Sequence, residues 1–403
     1  MATYKEQNKL NVPHLRFPEF HGEWCVSTIG EQFDLYSGNT PSRLNKEHFE
    51  GNVNWITSGE LKEHYISDTK EKISEDAATA NNLKLLHPGT FVIAIYGLEA
   101  DGVRGTGSIT CKESTISQAC MAFTQKGDVK NEFLYSWYKK HGNIIGIKYA
   151  QGTKQQNLSY DILEKFHIAY PSQDEQDKLI KFISLLDERI ATQSKLIEKL
   201  ESLIKGICNN YFEKLSVQEE AYLIRLSDIL KERNEYCCKD GKFIHGTLSK
   251  DGIFPKTGRW DRDFLVKQED KKYKVTHLDD ICYNPANLKF GVICRNTFGD
   301  LIFSPIYVTF EVCKNVNIGF IELYLTNHNF IEKVRRFEQG TVYERMAVSP
   351  EDFLSYKIRI PSYSDQTFFY KKVQWLIKLS QNEMKLLSQY KKLRQYLLRE
   401  MFI

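Results

Sequence analysis

The residues QGTKQQNLSYDILEKFHIAYPSQDEQ at 151–176 return in a related form as QGTVYERMAVSPEDFLSYKIRIPSYSDQ at 339–366. Both stretches begin with Gln-Gly-Thr and end in Pro-Ser followed four residues later by Gln. The second copy has two extra residues after its Gln-Gly-Thr, and from that point a constant offset of 190 relates the copies. An internal repeat of this length indicates two tandem units of similar fold.

The likeness continues on both sides of this stretch. Downstream, the offset of 190 reaches the end of the sequence, where Phe212 corresponds to Phe402. Upstream, three pairs of segments share an alternation of small, apolar and aromatic positions: WCVSTIGEQF near 24 and YLIRLSDIL near 222, LLHPGTFVIAI (85–95) and THLDDICYN (276–284), and SQACMAF (117–123) and SPIYVTF (304–310).

Short strand-like and helix-like patterns alternate within each copy, which predicts a mixed α/β (α+β) fold. Candidate strands are 91–97, 118–124, 166–171, 300–312 and 356–361, and candidate helices are 132–142 and 320–337. The predicted divisions are an N-terminal segment (1–20), a first globular domain (21–170), a central helix (171–213), a second globular domain (214–361) and a C-terminal helix (362–403).

Each copy ends in one long amphipathic helix. In the first, apolar residues recur at alternating steps of four and three: Leu179, Ile183, Leu186, Ile190, Ile197, Leu200, Ile204, Ile207 and Tyr211. Such a heptad seam is typical of a coiled coil, and about 38 residues of helix would be about 57 Å long. Each helix could pack on its own domain, but so long a seam favours pairing of the two helices as an antiparallel coiled coil.

Composition excludes several classes of protein. The chain has 403 residues and nine cysteines without C-x-x-C spacing, which argues against a disulfide framework and a zinc site. The opening residues contain no apolar h-region, and no run of about 18 apolar residues occurs, so we expect neither a signal peptide nor a membrane span. We therefore expect a cytoplasmic protein that binds no metal.

Motifs for catalysis are weak. Asn284-Pro285-Ala286-Asn287 lacks the second proline and the aromatic residue that an amino-methyltransferase needs, and no G-x-x-x-x-G-K-S/T phosphate loop occurs. Glu269-Asp270-Lys271 matches only the end of a nuclease motif. The sequence is therefore typical of a binding protein rather than an enzyme.

Basic and amide side chains in the glycine-containing turns are candidates for DNA contacts, because such groups bind phosphates and base edges. In the first copy these are Arg104, Lys148, Gln151, Thr153, Lys154, Gln155 and Asn157. In the second copy they are Lys256, Arg259, Lys289, Arg295, Gln339, Thr341, Tyr343 and Arg345. For any single one, an ordinary solvated loop residue is an equally good reading.

The two helices differ in charge. Residues 172–213 carry six basic and eight acidic side chains, whereas residues 366–403 carry eight basic and two acidic ones. Either DNA beside the second helix or an acidic partner would explain its excess of positive charge.

Together, the duplicated QGT…LS…PS…Q block, the long helix after each copy and the opening VPHLRFPEFHGEW resemble the specificity (S) subunit of Type I restriction–modification systems, the HsdS family. The resemblance implies two target recognition domains, each reading one half of a bipartite DNA sequence, with the helices setting the gap. It implies two modification subunits as partners, which carry S-adenosylmethionine and the adenine-N6 methyltransferase chemistry, and two restriction subunits as optional further partners. No cofactor is expected on this chain.

Two alternatives remain open at this stage. One is a self-contained DNA methyltransferase or nuclease, against which the weak motifs count. The other is a coiled-coil scaffold with no DNA role.

Overall fold

The structure is a computed structural model, and it describes residues 11–100, 102–152, 156–238, 243–250, 252–255, 272–338 and 347–403. The chain forms two compact units. Unit 1 consists of Met1–Gln193 and Leu386–Ile403, and unit 2 of Ser194–Lys385. Each unit therefore contains one globular half of the repeat together with a part of each long helix.

The elements that begin in unit 1 are these. The strands are β1 Cys25–Thr28, β2 Phe33–Ser37, β3 Val53–Ile56, β4 Tyr65–Ile66, β5 Lys72–Ile73, β6 Phe91–Ala94, β7 Gly107–Thr110, β8 Ser114–Ile116, β9 Cys120–Gln125 and β10 His167–Tyr170. The helices are α1 Ile29–Gln32, α2 Glu75–Ala80, α3 Asn131–Tyr149, α4 Tyr160–Leu163 and α5 Gln173–Val217.

The elements that begin in unit 2 follow the same scheme. The strands are β11 Tyr222–Arg225, β12 Leu230–Glu232, β13 Tyr236–Cys237, β14 Ile244–Ser249, β15 Gly252–Pro255, β16 Tyr273–Thr276, β17 Ile281–Tyr283, β18 Ile293–Arg295, β19 Leu301–Phe303, β20 Val308–Val312 and β21 Lys357–Ile360. The helices are α6 Ile318–Leu325, α7 His328–Val334, α8 Pro350–Ser355 and α9 Tyr363–Met401.

The two units share a sheet core. Unit 1 contains a sheet of order β2-β9-β6-β7-β4, and unit 2 one of order β12-β20-β17-β18, so the first four strands follow the same order. In both, the pairing of the shared strands is antiparallel. The mixed α/β architecture predicted from the sequence is confirmed, and the upstream segments matched there form β6 and β17 in one case and β9 and β20 in the other.

The units differ in their remaining sheets. Unit 1 has a three-stranded sheet of order β5-β3-β8, whereas unit 2 has a five-stranded sheet of order β13-β16-β19-β14-β15. In both, a two-stranded sheet joins the first and last strands of the globular part: β1 with β10 and β11 with β21. The sheets outside the shared four-stranded core therefore differ between the two units.

A buried glutamine explains the repeated Pro-Ser-x-x-x-Gln pattern. Gln176 is fully buried, and its Oε1 accepts a hydrogen bond of 3.0 Å from the backbone N–H of Lys130, the residue that caps α3. Its Nε2 donates to the carbonyl oxygens of Asp128 (3.1 Å) and Pro171 (3.0 Å). One side chain thus holds the start of α3 against the start of α5.

Unit 2 repeats this arrangement. The Oε1 of Gln366 accepts from the backbone N–H of Asn317, which caps α6, over 2.9 Å, and its Nε2 donates to the carbonyl oxygen of Pro361 over 2.9 Å. We call Gln176 and Gln366 the junction glutamines. The repeat therefore preserves a side chain that satisfies backbone groups at a helix start, where intrahelical partners are missing.

The C-terminal end of each long helix packs into the core of one unit through a phenylalanine. Phe402, near the end of α9, packs on Phe133 of α3 with ring centroids 5.2 Å apart, within unit 1. Phe212, near the end of α5, packs on Phe320 of α6 at 5.6 Å, within unit 2. The core of each unit is thus completed by the beginning of one long helix and the end of the other.

Two expected elements are interrupted. The strand predicted over 300–312 is two strands, β19 and β20, because Pro305 between them has no N–H to donate to a ladder. The helix predicted over 320–337 breaks into α6 and α7 at Asn327, whose side chain accepts from the N–H of Asn329 and so starts a new helix. The long helices span 45 residues (α5) and 39 residues (α9).

None of the described helices is long and apolar enough to cross a membrane. Among the residues that the structure describes, histidine, cysteine and carboxylate side chains form no group of three that could hold a metal ion.

We predict that each junction glutamine stabilises its own unit. Gln176→Ala removes the acceptor of the partly buried N–H of Lys130 and the donor to two carbonyl oxygens, which should cost about 2 kcal/mol. Hydrogen–deuterium exchange should then accelerate at the start of α3 and remain unchanged in α6, whereas Gln366→Ala should show the reverse. The control is Gln173→Ala, at an exposed position of the same helix turn. Equal exchange in all three variants would contradict this role.

Candidate nucleic-acid interface

Gln151 and Gly152 are the described residues of the first Gln-Gly-Thr segment, and they lie beside a backbone pairing in unit 1. The backbones of Gln151 and Asn157 pair in both directions, each N–H donating to the other carbonyl oxygen over 2.9 Å. Gly152 has a φ of 111°, which a residue with a side chain rarely adopts. The backbones of Gln151 and Asn157 are therefore held side by side, and both side chains are at least partly exposed.

Gln156, which precedes Asn157, is bonded to the glycine-containing turn that follows β6. The carbonyl oxygen of Gln156 accepts from the N–H of Leu98 over 3.1 Å, and its N–H donates to Glu99 Oε2 over 2.8 Å. That backbone hydrogen bond holds the pKa of Glu99 below its usual range. We call the described residues of the turn 97–106 and of the loop 151–157 the loop–turn surface.

Arg104 belongs to the loop–turn surface and is partly buried. Its Nη2 donates to Gln156 Oε1 over 3.1 Å. Its stem lies on α3, where a Cβ added to Gly146 would come within 2.5 Å of Arg104 Cγ. Arg104 Nε has no hydrogen-bond partner among the described residues. Arg104 therefore supports Gln156, and its unpaired Nε is buried and out of reach of a phosphate.

Lys148 lies in the last turn of α3 and is exposed. Its Nζ is 5.1 Å from the centre of the Tyr149 ring, and Ile144 and Ile147 beside it are 60% and 62% exposed. No carboxylate of the described residues pairs with it. An unpaired ammonium group next to exposed apolar side chains is suited to a negatively charged partner.

The described candidates of unit 2 have different environments. Arg295 is held by two carboxylates: its Nε donates to Asp279 Oδ1 over 2.8 Å, and its Nη1 lies 3.6 Å from Glu322 Oε2. Burial raises the pKa of Glu322, while Arg295 opposes that shift. This ion-pair network favours a structural role for Arg295.

Lys289 lies at the end of the helical turn Pro285–Phe290. Its Nζ is 5.3 Å from the ring of Phe290, which is 66% exposed. Asn284 begins the same turn, and its side chain accepts from the N–H of Ala286. The segment that partly resembles a methyltransferase motif is thus a helix cap, buried at Asn284.

The remaining candidates fall outside the described residues. They are Thr153, Lys154, Gln155, Lys256, Arg259, Gln339, Thr341, Tyr343 and Arg345, together with the partial nuclease motif Glu269-Asp270-Lys271.

The structure brings Arg104, Gln151 and Asn157 together in unit 1 and adds two residues that the sequence analysis did not select. These are Glu99 and Gln156, which anchor the loop to the turn. Gln156 is one of two consecutive glutamines, and sequence spacing alone gives no reason to distinguish it from Gln155. Lys148 belongs to α3 rather than to the loop, and Lys289 and Arg295 lie in unit 2.

The long helices have a second apolar face that their own units do not cover. The exposed residues are Phe182, Leu185, Leu393 and Tyr396 in unit 1, and Leu196, Leu203, Phe368 and Trp375 in unit 2. Exposed apolar side chains in such number mark a surface for another protein.

The two α/β units share a sheet core, and each contains a part of both long helices, so the chain has a duplicated fold. Residues 21–202 match the family described as "Type I restriction modification DNA specificity domain". The first half of the chain is thus similar to this family, in agreement with the resemblance seen in its sequence.

Two curated relatives come from Methanocaldococcus jannaschii. The Type I restriction enzyme MjaIX specificity subunit is 28% identical over 194 residues, which cover 47% of this chain and 44% of the relative. The MjaVIII specificity subunit is 26% identical over 216 residues, covering 53% and 47%. The alignments thus span a little less than half the length of these relatives.

Solved structures share the fold over a greater length. The Type-I restriction-modification system S subunit from M. genitalium has a TM-score of 0.61 at 19% identity, covering 97% of this chain and 99% of that chain. A chain from a structure described as the "Structural basis underlying complex assembly and conformational transition of the type I R-M system" has a TM-score of 0.57 at 13% identity, covering 94% and 97%.

We predict that Lys148 contacts a phosphate. Lys148→Ala should weaken binding to a random-sequence DNA duplex and reduce the slope of log K against log salt by about 0.9, the value for one phosphate contact. Fluorescence anisotropy across a salt series measures this slope. Lys126→Ala is the matched control, because Lys126 is already paired with Asp34 at 3.0 Å. An unchanged slope for Lys148→Ala would exclude the contact.

We predict that Arg295 acts mainly on stability. Arg295→Ala leaves Glu322 and Asp279 without their partner, and the loss should be roughly 2 kcal/mol in the free energy of unfolding. Urea denaturation measures it. Lys289→Ala, at an exposed turn of the same unit, should leave unfolding unchanged. If Arg295→Ala unfolded as the parent protein does but bound DNA more weakly, Arg295 would be a DNA contact instead.

Proposed function

We propose that this chain is the DNA-sequence specificity subunit of a Type I restriction–modification complex. Each unit reads one half of a bipartite target in double-stranded DNA, and α5 and α9 set the number of unspecified base pairs between the halves. The observation that carries the proposal is the duplication itself: two units with the same strand order, the same junction glutamine and the same place for a helix end. Two similar readers suit two half-sites.

The differences between the units support separate targets. The shared core of four strands carries a three-stranded sheet in unit 1 and a five-stranded sheet in unit 2. Two units that bind different DNA sequences need to differ in the parts that contact DNA. Binding residues commonly lie on loops held by a rigid scaffold, so the units can differ there while their core stays the same. The loop–turn surface is the proposed DNA-contacting region of unit 1.

We infer that two modification subunits dock on the exposed apolar residues of α5 and α9. Those subunits would bring S-adenosylmethionine and the adenine-N6 methyltransferase chemistry, so this chain would be non-catalytic and hold no cofactor. Two restriction subunits could join the complex. Because the proposed partner is double-stranded DNA, we propose a cytoplasmic location for the assembly.

Co-expression with the cognate modification subunit, followed by sequencing that detects methylated adenine across the genome, tests this function. A bipartite motif with one fixed gap is the expected result. A stable complex without any methylated motif would overturn the DNA-reading role. Methyl transfer by this chain alone would instead identify a self-contained enzyme, and the absence of both complex and salt-dependent DNA binding would identify a scaffold.

We predict that helix length determines the gap. Four residues inserted after Gln193 of α5, with four more after Lys385 of α9, add about 6 Å of helix, which corresponds to about two base pairs. Methylome sequencing should show the same two half-sites separated by a longer gap. The control is a four-residue insertion between Glu219 and Glu220, which lie beyond the end of α5. If the helices were longer and the gap between the half-sites stayed the same, helix length would not determine the gap.

A further inference from the structure

A charged pair joins the two long helices in unit 1. Arg394 of α9 donates from Nε and Nη2 to the two carboxylate oxygens of Asp187 in α5, the second over 3.1 Å. Two residues further along α5, the guanidinium of Arg189 lies 5.5 Å from the ring of Tyr390. As residue numbers rise along α5 they fall along α9, so the helices are antiparallel here.

The pair is largely shielded from water. The side chains of Arg394 and Asp187 are only 19% and 17% exposed. His64 Nδ1 lies 3.8 Å from Asp187 Oδ2, and the imidazole is stacked between Tyr65 and Tyr135 at 4.1 and 4.0 Å. The charges therefore lie where α5, α9 and the globular part of unit 1 meet, and each depends on the other for compensation.

The repeat puts a different pair of residues at the corresponding positions. The offset of 190 relates Asp187 to Ile377 and Arg394 to Ile204. Both isoleucines pack against the hydrophobic core of unit 2. The same position of the helix pair is thus charged in unit 1 and apolar in unit 2.

This difference matters because α5 and α9 are copies of one pattern. Two chains could in principle pair α5 with α5, or α9 with α9, in the same antiparallel alignment. In the first case Asp187 would lie opposite Ile204, and in the second Arg394 would lie opposite Ile377. Either pairing leaves a shielded charge without its partner, which is strongly unfavourable. Only pairing of α5 with α9 matches charge with charge and isoleucine with isoleucine.

The overall charge of the helices also favours pairing of α5 with α9. Residues 366–403 carry eight basic and two acidic side chains, so two copies of α9 would repel each other. Residues 172–213 carry six basic and eight acidic side chains and suit the basic helix. Like charges brought together in a helix pair select against the wrong partner.

We propose that Asp187 and Arg394 determine partner choice between the long helices: they commit α5 to α9 and exclude pairing of either helix with its own counterpart in a second copy of this chain. Charged and polar residues in helix seams commonly select partners and register at some cost in stability. The proposal concerns the assembly of the chain and does not depend on DNA reading or on any modification subunit.

The test uses four full-length proteins. These are the parent chain, the double variant Asp187→Ile/Arg394→Ile, the charge-swapped double variant Asp187→Arg/Arg394→Asp, and the control Arg43→Ile/Glu71→Ile. The control removes an exposed bidentate pair elsewhere in unit 1 and introduces the same side chains. Each protein is refolded from denaturant over a concentration series, and its mass is measured by light scattering.

The double isoleucine variant should form dimers at concentrations at least tenfold lower than the parent chain, since its homotypic pairings bury no charge. The charge-swapped variant and the control should match the parent. The proposal would be overturned if the isoleucine variant formed dimers only at the concentrations that the parent chain needs. It would also be overturned if the charge-swapped variant formed dimers at concentrations as low as the isoleucine variant does.

Cross-linking identifies the pairing in any dimer. An equal mixture of chains labelled with nitrogen-14 and nitrogen-15 is refolded together and treated with a lysine cross-linker. Homotypic pairing of α5 brings exposed Lys195 next to Lys195 of the second copy, so cross-links of mixed mass at this residue should appear in the isoleucine variant alone. Dimers of that variant without this cross-link would also overturn the proposal.

Discussion

The rest of the structure depends on the hydrogen bonds that attach the start of each long helix to its globular domain. A helix start leaves backbone N–H groups without intrahelical partners, and burying them without compensation is costly. Gln176 and Gln366 resolve this for α3 and α6 while also bonding to the carbonyl oxygens of Pro171 and Pro361. The same side chain therefore completes a local hydrogen-bond requirement and fixes where the long helix departs from the domain.

The other end of each helix is fixed by packing instead of hydrogen bonds. Phe402 packs on Phe133 and Phe212 on Phe320, so the aromatic core of each unit needs the end of a helix that starts elsewhere in the sequence. A long amphipathic helix gains most of its stability from tertiary contacts along its apolar face. Folding of either unit is thus linked to the presence of both long helices.

The parts of this fold that a sequence can predict are those with local or repeated signals. The heptad seams, the two-fold repeat and the strands β6, β9, β10 and β21 follow from periodicity and from the offset between the copies. The short strands β4, β5 and β13 have two residues each and are formed by pairing with distant segments, so they leave no local signal. The partition of each long helix between two units is likewise decided by distant contacts.

The same reasoning limits prediction of the candidate site. Residue type selects Arg104 and Arg295 equally, but the structure separates them, since Arg104 bonds to a loop glutamine whereas Arg295 is held by Asp279 and Glu322. Those carboxylates lie 16 and 27 positions away in the sequence, and only the folding of β18 beside α6 brings Glu322 near. Charge alone therefore identifies candidates without indicating which are already neutralised.

The two-stranded sheets at the base of each unit have a consequence for how such a protein can change over generations. Because Cys25 lies opposite Tyr170, and Tyr222 opposite Ile360, the chain enters and leaves each globular part through adjacent strands. A segment whose ends are neighbours can be exchanged as a single genetic cassette without stretching the chain on either side. Recombination between related genes could replace one globular part in this way while the junction glutamines and the long helices remain as they were.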